Sequence, residues 1–458
     1  MGGGLTKGLA ATALLWASGA AAEVPAPLST YMLMTGGGPV ARAVMAAGDA
    51  CPVLTLDGRQ MAMAVRAEPA DLPLRPTRSM AENSKPSRFP VRVCEAAVPA
   101  TARAVRIGTR ALPVPRRTAR RIVVIGDTGC RIMASDNAYQ ACNDPRAWPF
   151  ARIAAQAAAW KPDLVVHVGD YLYRENPCAG HAGCTDTPWG YGWDAWDADF
   201  FTPAAPLLEA APWLMIRGNH ESCLRAGQGW WRLLAAQPLE AGRDCNDAAS
   251  DARGDDSPPF AVPLGGGAQI IAMDLVIMGE DEIPPGDPRY TQIRSIQRAI
   301  AAMAKGHSFT FAADHYPLLG LNASDKKGTL RIKPGYEAVR STFGIDDPTL
   351  RLPGIDALLA GHVHAWQQDD YGPGHPGQWI SGMAGTQEGV TPIPAGRALD
   401  QEPAPGAKLL RFDSWTGGFG FMTLERTGRR RWRVELHALE GGVIRRCTIV
   451  GRRSACPR

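Results

Sequence analysis

Short apolar runs that alternate with amphipathic stretches constrain the fold of this chain more than any other feature. Six of these runs have the length and composition of strands buried on both faces of a sheet. They are 122–125, 164–168, 213–216, 269–273, 309–311 and 355–359. Two helical faces lie between them, one formed by Phe150, Ile153, Ala154 and Ala157, the other by Ile293, Ile296, Ile300 and Met303. The alternation predicts an α/β architecture.

A polar cluster lies at or just beyond the end of five of these runs. The clusters are Gly126-Asp127-Thr128-Gly129, Gly169-Asp170-Tyr171-Leu172-Tyr173, Gly218-Asn219-His220-Glu221, Asp314-His315-Tyr316 and Gly361-His362-Val363-His364. In α/β proteins, the loops at the carboxyl ends of neighbouring strands converge and form the active site. We therefore expect the five clusters to meet in space.

The order of these clusters resembles that of the calcineurin-like metallophosphoesterases, and among them the purple acid phosphatases. The resemblance covers roughly residues 121–440 and does not extend to 23–118. It implies a four-layer α/β/β/α sandwich with a small N-terminal β-rich module beside it. It also implies hydrolysis of phosphate esters by in-line attack of a metal-bound hydroxide on phosphorus.

By this resemblance, the site holds two metal ions that share Asp170 as a bridging ligand. The first ion would take Asp127, Asp170, Tyr173 and His364, and the second would take Asp170, Asn219, His315 and His362. Carboxylate and phenolate oxygens suit Fe(III) at the first position, whereas the amide and imidazoles suit Zn, Fe(II) or Mn at the second. Most of the wider family has a metal-binding histidine at the position of Gly129. In the purple acid phosphatases a tyrosinate ligand makes up for its absence, and Tyr173 stands at the matching position. The resemblance therefore favours this subfamily.

The resemblance assigns catalytic roles to Asp170, His220 and Glu221. His220 would act on the leaving oxygen as an acid or as a charge stabiliser, and Glu221 would orient it. Several purple acid phosphatases have a further substrate-binding histidine where this chain has residues 318–328, which contain none. Asn322, Lys326 and Lys327 are the candidates to replace it.

The leading functional hypothesis is a phosphomonoesterase of the acid-phosphatase type acting on a small phosphate ester. A phosphodiesterase or nucleotide hydrolase on the same metal site is the main alternative, and a non-catalytic binding protein is less favoured. The net charge of +4 is the difference between 49 basic and 45 acidic residues, so it does not indicate nucleic acid or an acidic membrane as a partner. The sequence does not indicate an oligomeric state.

Residues 1–22 have the pattern of a signal peptide, with a basic start, an apolar stretch and Ala20-Ala21-Ala22 before the expected cleavage site near Ala22. The apolar stretch is too short to span a membrane, and the export pattern outweighs a myristoylation motif at 1–6. We expect a secreted or periplasmic protein. Beyond the signal peptide, we predict an accessory β-rich module at 23–118, a catalytic domain at 119–440 and a disulfide-closed tail at 441–458.

The ten cysteines fall into five pairs of close neighbours along the chain. An even number of cysteines fits an oxidising compartment. The predicted pairs are Cys51 with Cys94, Cys130 with Cys142, Cys178 with Cys184, Cys223 with Cys245 and Cys447 with Cys456. Metal ligation or buried thiols remain the alternative, although the chain contains no CxxC motif.

Several other features have a structural interpretation and a functional one. We expect His167 to be a packed or supporting residue, and we expect His181, His307, His375 and His437 to be surface or hydrogen-bonded histidines. The aromatic side chains of Trp189, Tyr191, Trp193, Trp196, Phe200 and Phe201 fit core packing around the Cys178 to Cys184 loop better than a substrate wall over the metals. Residues 390–407 fit an ordered loop better than a mobile lid.

Overall fold

The computed structural model of the protein describes residues 1–3 and 25–457, and its fold is mixed α/β as predicted. Most of the predicted signal peptide therefore lies outside the described residues. The six predicted strands are all present, with ends displaced by one or two residues. No helix in the described part of the chain is long and apolar enough to cross a membrane.

The elements are numbered in chain order. The strands are β1 Ser29–Thr35, β2 Gly38–Ala46, β3 Val53–Leu56, β4 Arg59–Ala62, β5 Ala64–Ala67, β6 Ala70–Leu72, β7 Ser87–Phe89, β8 Val91–Ala97, β9 Val105–Ile107, β10 Arg110–Leu112, β11 Arg121–Ile125, β12 Ile132–Met133, β13 Ala138–Tyr139, β14 Leu164–His167, β15 Trp213–Met215, β16 Phe260–Gly265, β17 Ala268–Ala272, β18 Phe309–Ala313, β19 Leu321–Lys326, β20 Thr329–Pro334, β21 Ala357–Ala360, β22 Trp366–Asp370, β23 Gly377–Ser381, β24 Arg411–Trp415, β25 Gly420–Gly428, β26 Arg431–Ala438, β27 Gly442–Val450 and β28 Arg453–Ala455. The α-helices are α1 Phe150–Ala159, α2 Trp193–Trp196, α3 Thr202–Ala210, α4 Gly227–Gly229, α5 Asp251–Gly254, α6 Pro288–Met303, α7 Glu337–Thr342 and α8 Ala395–Ala398. Short 3₁₀ turns lie at Ala81–Asn83, Ala134–Asp136, Ala182–Cys184, Asn219–Glu221, Ala248–Ser250 and Phe343–Ile345, and π turns lie at Asp197–Phe201 and Trp230–Leu234.

Two large sheets carry most of these strands. The first has eleven strands in the order β28-β27-β26-β25-β11-β14-β15-β1-β2-β8-β5, and the second has seven in the order β16-β17-β18-β21-β23-β22-β24. In the first sheet, β11, β14, β15 and β1 are parallel to one another. In the second, β17, β18, β21 and β23 are parallel. The carboxyl ends of the parallel strands in each sheet therefore lie along one edge.

The apolar side chains of the strands pack on both faces of each sheet. Val124 of β11 and Phe311 of β18 belong to one cluster between the two sheets. Val123, one residue earlier, packs on the opposite face with Ile153 of α1, since successive side chains of a strand alternate between faces. Ile296 of α6 lies in a third cluster, on the outer face of the second sheet. The packing thus runs from helices through two sheets to helices.

The two predicted helical faces are buried as expected. In α1, the four predicted side chains are all buried. In α6, three of the four are buried, and Met303 is partly buried against the same cluster. Asp287 caps α6 by accepting a hydrogen bond from the backbone N–H of Arg289, and Pro288 occupies the first turn, where its missing N–H has no cost. These helices cover the outer faces of the sheets and leave the loops at the strand ends free.

Several strands that precede residue 118 continue the main sheet. β1 pairs in parallel with β15, with Leu33 opposite Trp213, and β2, β8 and β5 extend the sheet from there. A separate four-stranded sheet, β10-β9-β3-β4, packs against β1, β2 and β8 through a shared apolar cluster. At the other end, β27 and β28 also belong to the main sheet. The division into module, catalytic domain and tail stays a prediction, but hydrogen bonding runs across both of its boundaries.

The cysteines form the five predicted disulfides, and none of those in the described residues is free. The bridges close loops that span between 6 and 43 residues. A native disulfide typically stabilises a protein by about 2–4 kcal/mol. Five of them indicate an oxidising, extracytoplasmic environment.

Candidate metal centre

The candidate ligands come from tight turns immediately after buried strands. Asp127 follows β11, Asp170 follows β14 and His362 follows β21, and each has a positive φ, of 57°, 61° and 67°. A non-glycine residue in this region costs about 1–2 kcal/mol, and such strain concentrates at functional sites. Because β11 and β14 are parallel neighbours, their two aspartates emerge side by side.

The first group of candidate ligands surrounds the hydroxyl of Tyr173. That oxygen lies 3.1 Å from Asp127 Oδ1, 2.8 Å from Asp170 Oδ2 and 3.0 Å from His364 Nε2. Nε2 of His364 is also 3.1 Å from Asp127 Oδ1. A phenol has one proton and can donate only one hydrogen bond, so it cannot satisfy three neighbours of this kind. The lone pairs of the neighbouring carboxylates and imidazole that this one proton cannot satisfy would be satisfied by a cation.

The second group surrounds Nε2 of His315. This nitrogen lies 2.9 Å from Asn219 Oδ1 and 3.1 Å from Asp170 Oδ2, and Asn219 Oδ1 is 3.1 Å from Nδ1 of His362. Nδ1 of His315 lies 2.8 Å from the carbonyl oxygen of Val168, so in the neutral ring the proton belongs on Nδ1. The lone pair of Nε2 then faces two oxygens. This arrangement also fits a cation.

The electrostatics of the buried groups agree with a positive charge at this position. Burial alone would raise the pKa of the Asp170 carboxyl, but His315 and His220 hold it well below its usual range. Burial alone would lower the pKa of His315, but the Asp170 carboxylate raises it to about 10. Burial, Asp170 and Asp127 together raise the pKa of the Tyr173 phenol well above its usual value. A bound cation would supply the charge that the His315 proton otherwise supplies, and it would allow Tyr173 to ionise.

The spacing of the donor atoms also suits metal ligation. Donors bound at right angles to one ion, at about 2.0–2.2 Å each, lie about 3 Å apart. The contacts within both groups are of this length. Asp127, Asp170 and His315 offer ligand atoms that all lie within 4.8 Å of one another. The donor spacing therefore suits metal ligation, and a pair of cations that share Asp170 stays a prediction.

Two glycines are required by close approach of the loops. A Cβ atom on Gly129 would lie 2.7 Å from the backbone nitrogen of Tyr173 and 2.8 Å from the carbonyl oxygen of Tyr171. A Cβ atom on Gly218 would lie 2.0 Å from Oδ1 of Asp170. The loop that carries Tyr173 occupies the space that a histidine at position 129 would need. Any side chain at position 129 would therefore clash with the backbone of this loop.

His220 lies beside this group and is held by a carboxylate that the sequence did not indicate. Its Nδ1 lies 2.7 Å from Glu175 Oε1, and its Nε2 lies 3.8 Å from Asp170 Oδ2. Tyr191 donates a 2.7 Å hydrogen bond to Glu175 Oε2, and Arg225 pairs with the same carboxylate at 2.8 Å. Burial would raise the pKa of Glu175, but Arg225 and His220 lower it to about 2. Glu175 is therefore an anion that lies directly against the His220 ring.

The orienting role predicted for Glu221 needs correction. Its Oε1 accepts hydrogen bonds from the backbone N–H groups of Tyr171 and Leu172, and its Oε2 accepts from those of Asp170 and Gly218. All four distances lie between 2.9 and 3.2 Å. Glu221 thus positions the loop that carries Asp170. Sequence spacing alone could not tell which of two nearby glutamates would reach the imidazole.

The candidate ligands open into a cleft of about 650 Å³. Asp170, Tyr173, Asn219, His220 and His364 line its floor, together with His362. Residues 78–80 and 83 also line the cleft, and they come from the part of the chain that the sequence assigned to the accessory module. No motif marked these residues, because they follow neither a strand end nor a glycine turn of the kind seen at the ligands.

The remaining predicted residues are placed as follows. Of the three substitutes for the missing histidine, Asn322 lines the cleft, whereas Lys326 and Lys327 lie at the exposed turn between β19 and β20. His167 is buried, and its Nε2 lies 3.0 Å from Thr128 Oγ1, so it supports the loop after β11.

The two segments with alternative interpretations both contribute to apolar packing. Tyr191, Trp196, Phe200 and Phe201 belong to the core cluster on the α1 side of the main sheet. Ile393, Ala398, Ala404 and Ala407, from the segment 390–407, pack into the cluster around α6. Both segments therefore pack into the core as the sequence favoured, although these aromatic residues join the cluster beside α1 and not the one around the Cys178–Cys184 bridge.

Comparison with known proteins agrees with this geometry. The model of the calcineurin-like phosphoesterase family matches residues 120–366, which is more than half of the chain. No curated protein matches the chain in sequence.

Two solved structures are similar in fold. One is a purple acid phosphatase from seeds of yellow lupin, Lupinus luteus, with a TM-score of 0.54 and 15% identity over 94% of this chain and 75% of the lupin chain. The other is PhoD, with a TM-score of 0.51 and 12% identity over 95% of this chain and 93% of its own. The likeness in fold thus extends ahead of residue 120, where the sequence resemblance stopped.

The family match, which covers the predicted ligand clusters from Asp127 to His364, identifies the protein at the level of its family. The chain belongs to the calcineurin-like phosphoesterases and is a metal-dependent phosphoric ester hydrolase.

Proposed function

From this family membership, we propose that the protein is an exported phosphomonoesterase of the acid-phosphatase type with a two-metal centre. The observation that carries the proposal is that the two ligand groups meet at Asp170, whose Oδ2 lies 2.8 Å from the Tyr173 hydroxyl and 3.1 Å from Nε2 of His315. In the proposed centre, Fe(III) occupies the Asp127 and Tyr173 side, and Zn, Fe(II) or Mn occupies the Asn219 and His315 side. When bound, the two ions would supply the positive charge that neutralises the phosphate oxygens and acidifies water.

The protein's own residues have distinct tasks in this proposal. Asp170 holds the two ligand groups together, and Glu221 fixes the backbone that presents Asp170. His220 faces the cleft at the edge of the centre, where it can donate a proton to the leaving oxygen or stabilise its charge. Glu175 keeps the imidazole in place with its Nε2 turned toward Asp170. Tyr173 supplies the phenolate that distinguishes the purple acid phosphatases.

Export is supported by the five disulfides and by the signal-peptide pattern of residues 1–22. Mass spectrometry of the N-terminus of the protein recovered from outside the cytoplasm tests this part of the proposal. A mature chain beginning near Glu23 is the expected result. A chain that retains Met1 would contradict it.

The second candidate function is that of a phosphodiesterase, and the size of the cleft supports it. A volume of about 650 Å³ exceeds what a phosphate group alone would fill, so a second ester substituent has room. The two candidates share the same metal site and differ only in which ester turns over faster.

The deciding experiment compares hydrolysis of p-nitrophenyl phosphate with hydrolysis of bis-p-nitrophenyl phosphate by the mature, metal-loaded protein from acid to alkaline pH. Faster turnover of the monoester with an acid optimum supports the proposal. Faster turnover of the diester moves the assignment to the second candidate. The Asp170→Asn variant is the control for contaminating phosphatases, and absence of turnover on both esters after loading with Fe, Zn or Mn would refute catalysis.

A further inference from the structure

Residues 78–83 form one wall of the cleft, which we call the N-terminal wall. Arg78, Ser79, Met80 and Asn83 line the cavity together with Asp170 and His220. The wall lies ahead of the residues matched by the family model, which begin at 120. It is therefore specific to the N-terminal part of this chain and not a component of the matched core.

The N-terminal wall is fastened to the loops that carry the site. Nδ2 of the buried Asn176 donates hydrogen bonds to Ser79 Oγ at 2.8 Å and to the carbonyl oxygen of Asn83 at 3.3 Å. The backbone N–H of Arg78 donates to the carbonyl oxygen of Leu224 at 3.0 Å. Asn176 follows β14 and Leu224 follows β15, so the wall is held from both of these loops. Its position beside the cleft is thus fixed by specific contacts.

A chain of polar contacts joins the wall to His220. Ser79 Oγ lies 3.3 Å from the hydroxyl of Tyr191, and that hydroxyl donates to Glu175 Oε2 at 2.7 Å. The other oxygen of Glu175 lies 2.7 Å from Nδ1 of His220. The N-terminal wall therefore stands on the same side of the cleft as the group proposed to act on the leaving oxygen. A leaving group placed at His220 would extend along this wall.

The arginines of the cleft differ in their pairing. Arg131 pairs with Asp136 at 2.6 Å, and Arg225 pairs with Glu175 at 2.8 Å. Arg78 is exposed, and within the described residues no carboxylate lies within ion-pair distance of its guanidinium. An arginine in a cleft without a protein anion beside it can bind an anion of the ligand.

We propose, building on the proposed function, that the N-terminal wall is a leaving-group subsite in which Arg78 binds an anionic group. The favoured substrates are then phosphate monoesters whose alcohol carries a second negative charge, either a carboxylate or a further phosphate-type group. The subsite does not contact the proposed metal ligands, so it acts on the choice of ester.

The test compares three aryl phosphates that share one scaffold: 4-carbamoylphenyl phosphate, which is neutral in its leaving group, 4-carboxyphenyl phosphate, and 4-phosphonophenyl phosphate. The quantity measured is the ratio of kcat/KM for each anionic ester to that for the carbamoyl ester. Comparing this ratio between the wild type and a variant cancels the difference in leaving-group chemistry. The last two esters distinguish a carboxylate from a phosphate-type anion as the preferred group.

In Arg78→Gln, we expect the ratio to fall about three- to fivefold for at least one anionic ester, which is the upper part of the range for an exposed charge pair. Arg78→Lys should recover most of the ratio, and added salt should reduce the difference between Arg78→Gln and the wild type. Arg59→Gln removes an exposed arginine of β4 that does not line the cleft, and it should keep the wild-type ratio. Thermal unfolding confirms that the variants are folded.

The outcomes separate this inference from the one it rests on. An unchanged ratio in Arg78→Gln, or an equal fall in Arg59→Gln, overturns the assignment of the subsite while phosphomonoesterase activity stands. Failure of the wild type to hydrolyse any of the three esters overturns the proposed function and the subsite together.

Discussion

Replacement of Glu175 by glutamine isolates the contribution of one buried charge. The carboxylate is fully buried between Arg225, His220 and Tyr191. Glutamine keeps the size of the side chain and retains an oxygen for the Tyr191 hydroxyl. It removes the negative charge that balances the buried guanidinium of Arg225. The variant should therefore lose stability with little change in packing.

The magnitude follows from the pKa of the Glu175 carboxyl. Folding lowers this pKa from its ordinary value of 4.5 to about 2. At pH 7, the difference corresponds to about 3 kcal/mol of unfolding free energy. Breaking a buried ion pair by removing one partner typically costs about 3–5 kcal/mol, which agrees. Because the folded pKa is the lower one, this stabilisation is complete above about pH 4.5 and disappears as the pH falls toward 2. Near pH 3, less than half of this stabilisation should remain.

Urea unfolding of the wild type and Glu175→Gln at pH 7 and pH 3 measures both values. Glu68→Gln is the matched control, since Glu68 also pairs with an arginine, at 2.9 Å, but its side chain is 62% exposed. An exposed pair of this kind should change the unfolding free energy by less than about 1 kcal/mol. The reasoning is refuted if Glu175→Gln loses less than about 1 kcal/mol at pH 7. It is equally refuted if the loss is the same at both pH values, because that would indicate packing and not charge.

Three further variants test the proposed centre. Asp170→Asn should abolish turnover and release metal, as measured by elemental analysis of the purified protein, and wild-type turnover would contradict the shared-ligand role. His220→Ala should keep its metal and lose about 10²- to 10⁴-fold in kcat, whereas loss of metal would show that His220 is a ligand. Tyr173→Phe should abolish the visible absorption band of the iron-loaded protein, and an unchanged spectrum would remove the assignment to the purple acid phosphatase type.

The parts of the fold that the sequence predicted are those specified by local patterns. The central strands are short apolar runs, and α1 and α6 each have an apolar face at helical spacing. The candidate ligands follow those strands directly, so their convergence could be expected from the parallel arrangement. The cysteines are paired with near neighbours in sequence, and such pairs can be predicted without knowing the fold.

The parts that the sequence did not predict depend on contacts between distant residues. Pairing of Leu33 with Trp213 leaves no local signature in either strand, so the sequence does not reveal that β1 joins the main sheet. The contact of Ser79 with Tyr191 is of the same kind. Glu175 and Glu221 lie in similar positions after strand ends, and only the three-dimensional path of the loops decides which of them meets His220.

The pairing of β1 with β15 has a consequence for how the enzyme can be divided. A fragment that began at residue 119 would lack β1 and would present the free hydrogen-bonding edge of β15 to solvent. The three residues of β15 are apolar and buried in the intact chain, and an uncovered edge of this kind templates association with other strands. This fragment is therefore expected to precipitate when it is produced alone, and the residues that precede it protect its solubility as well as lining its cleft.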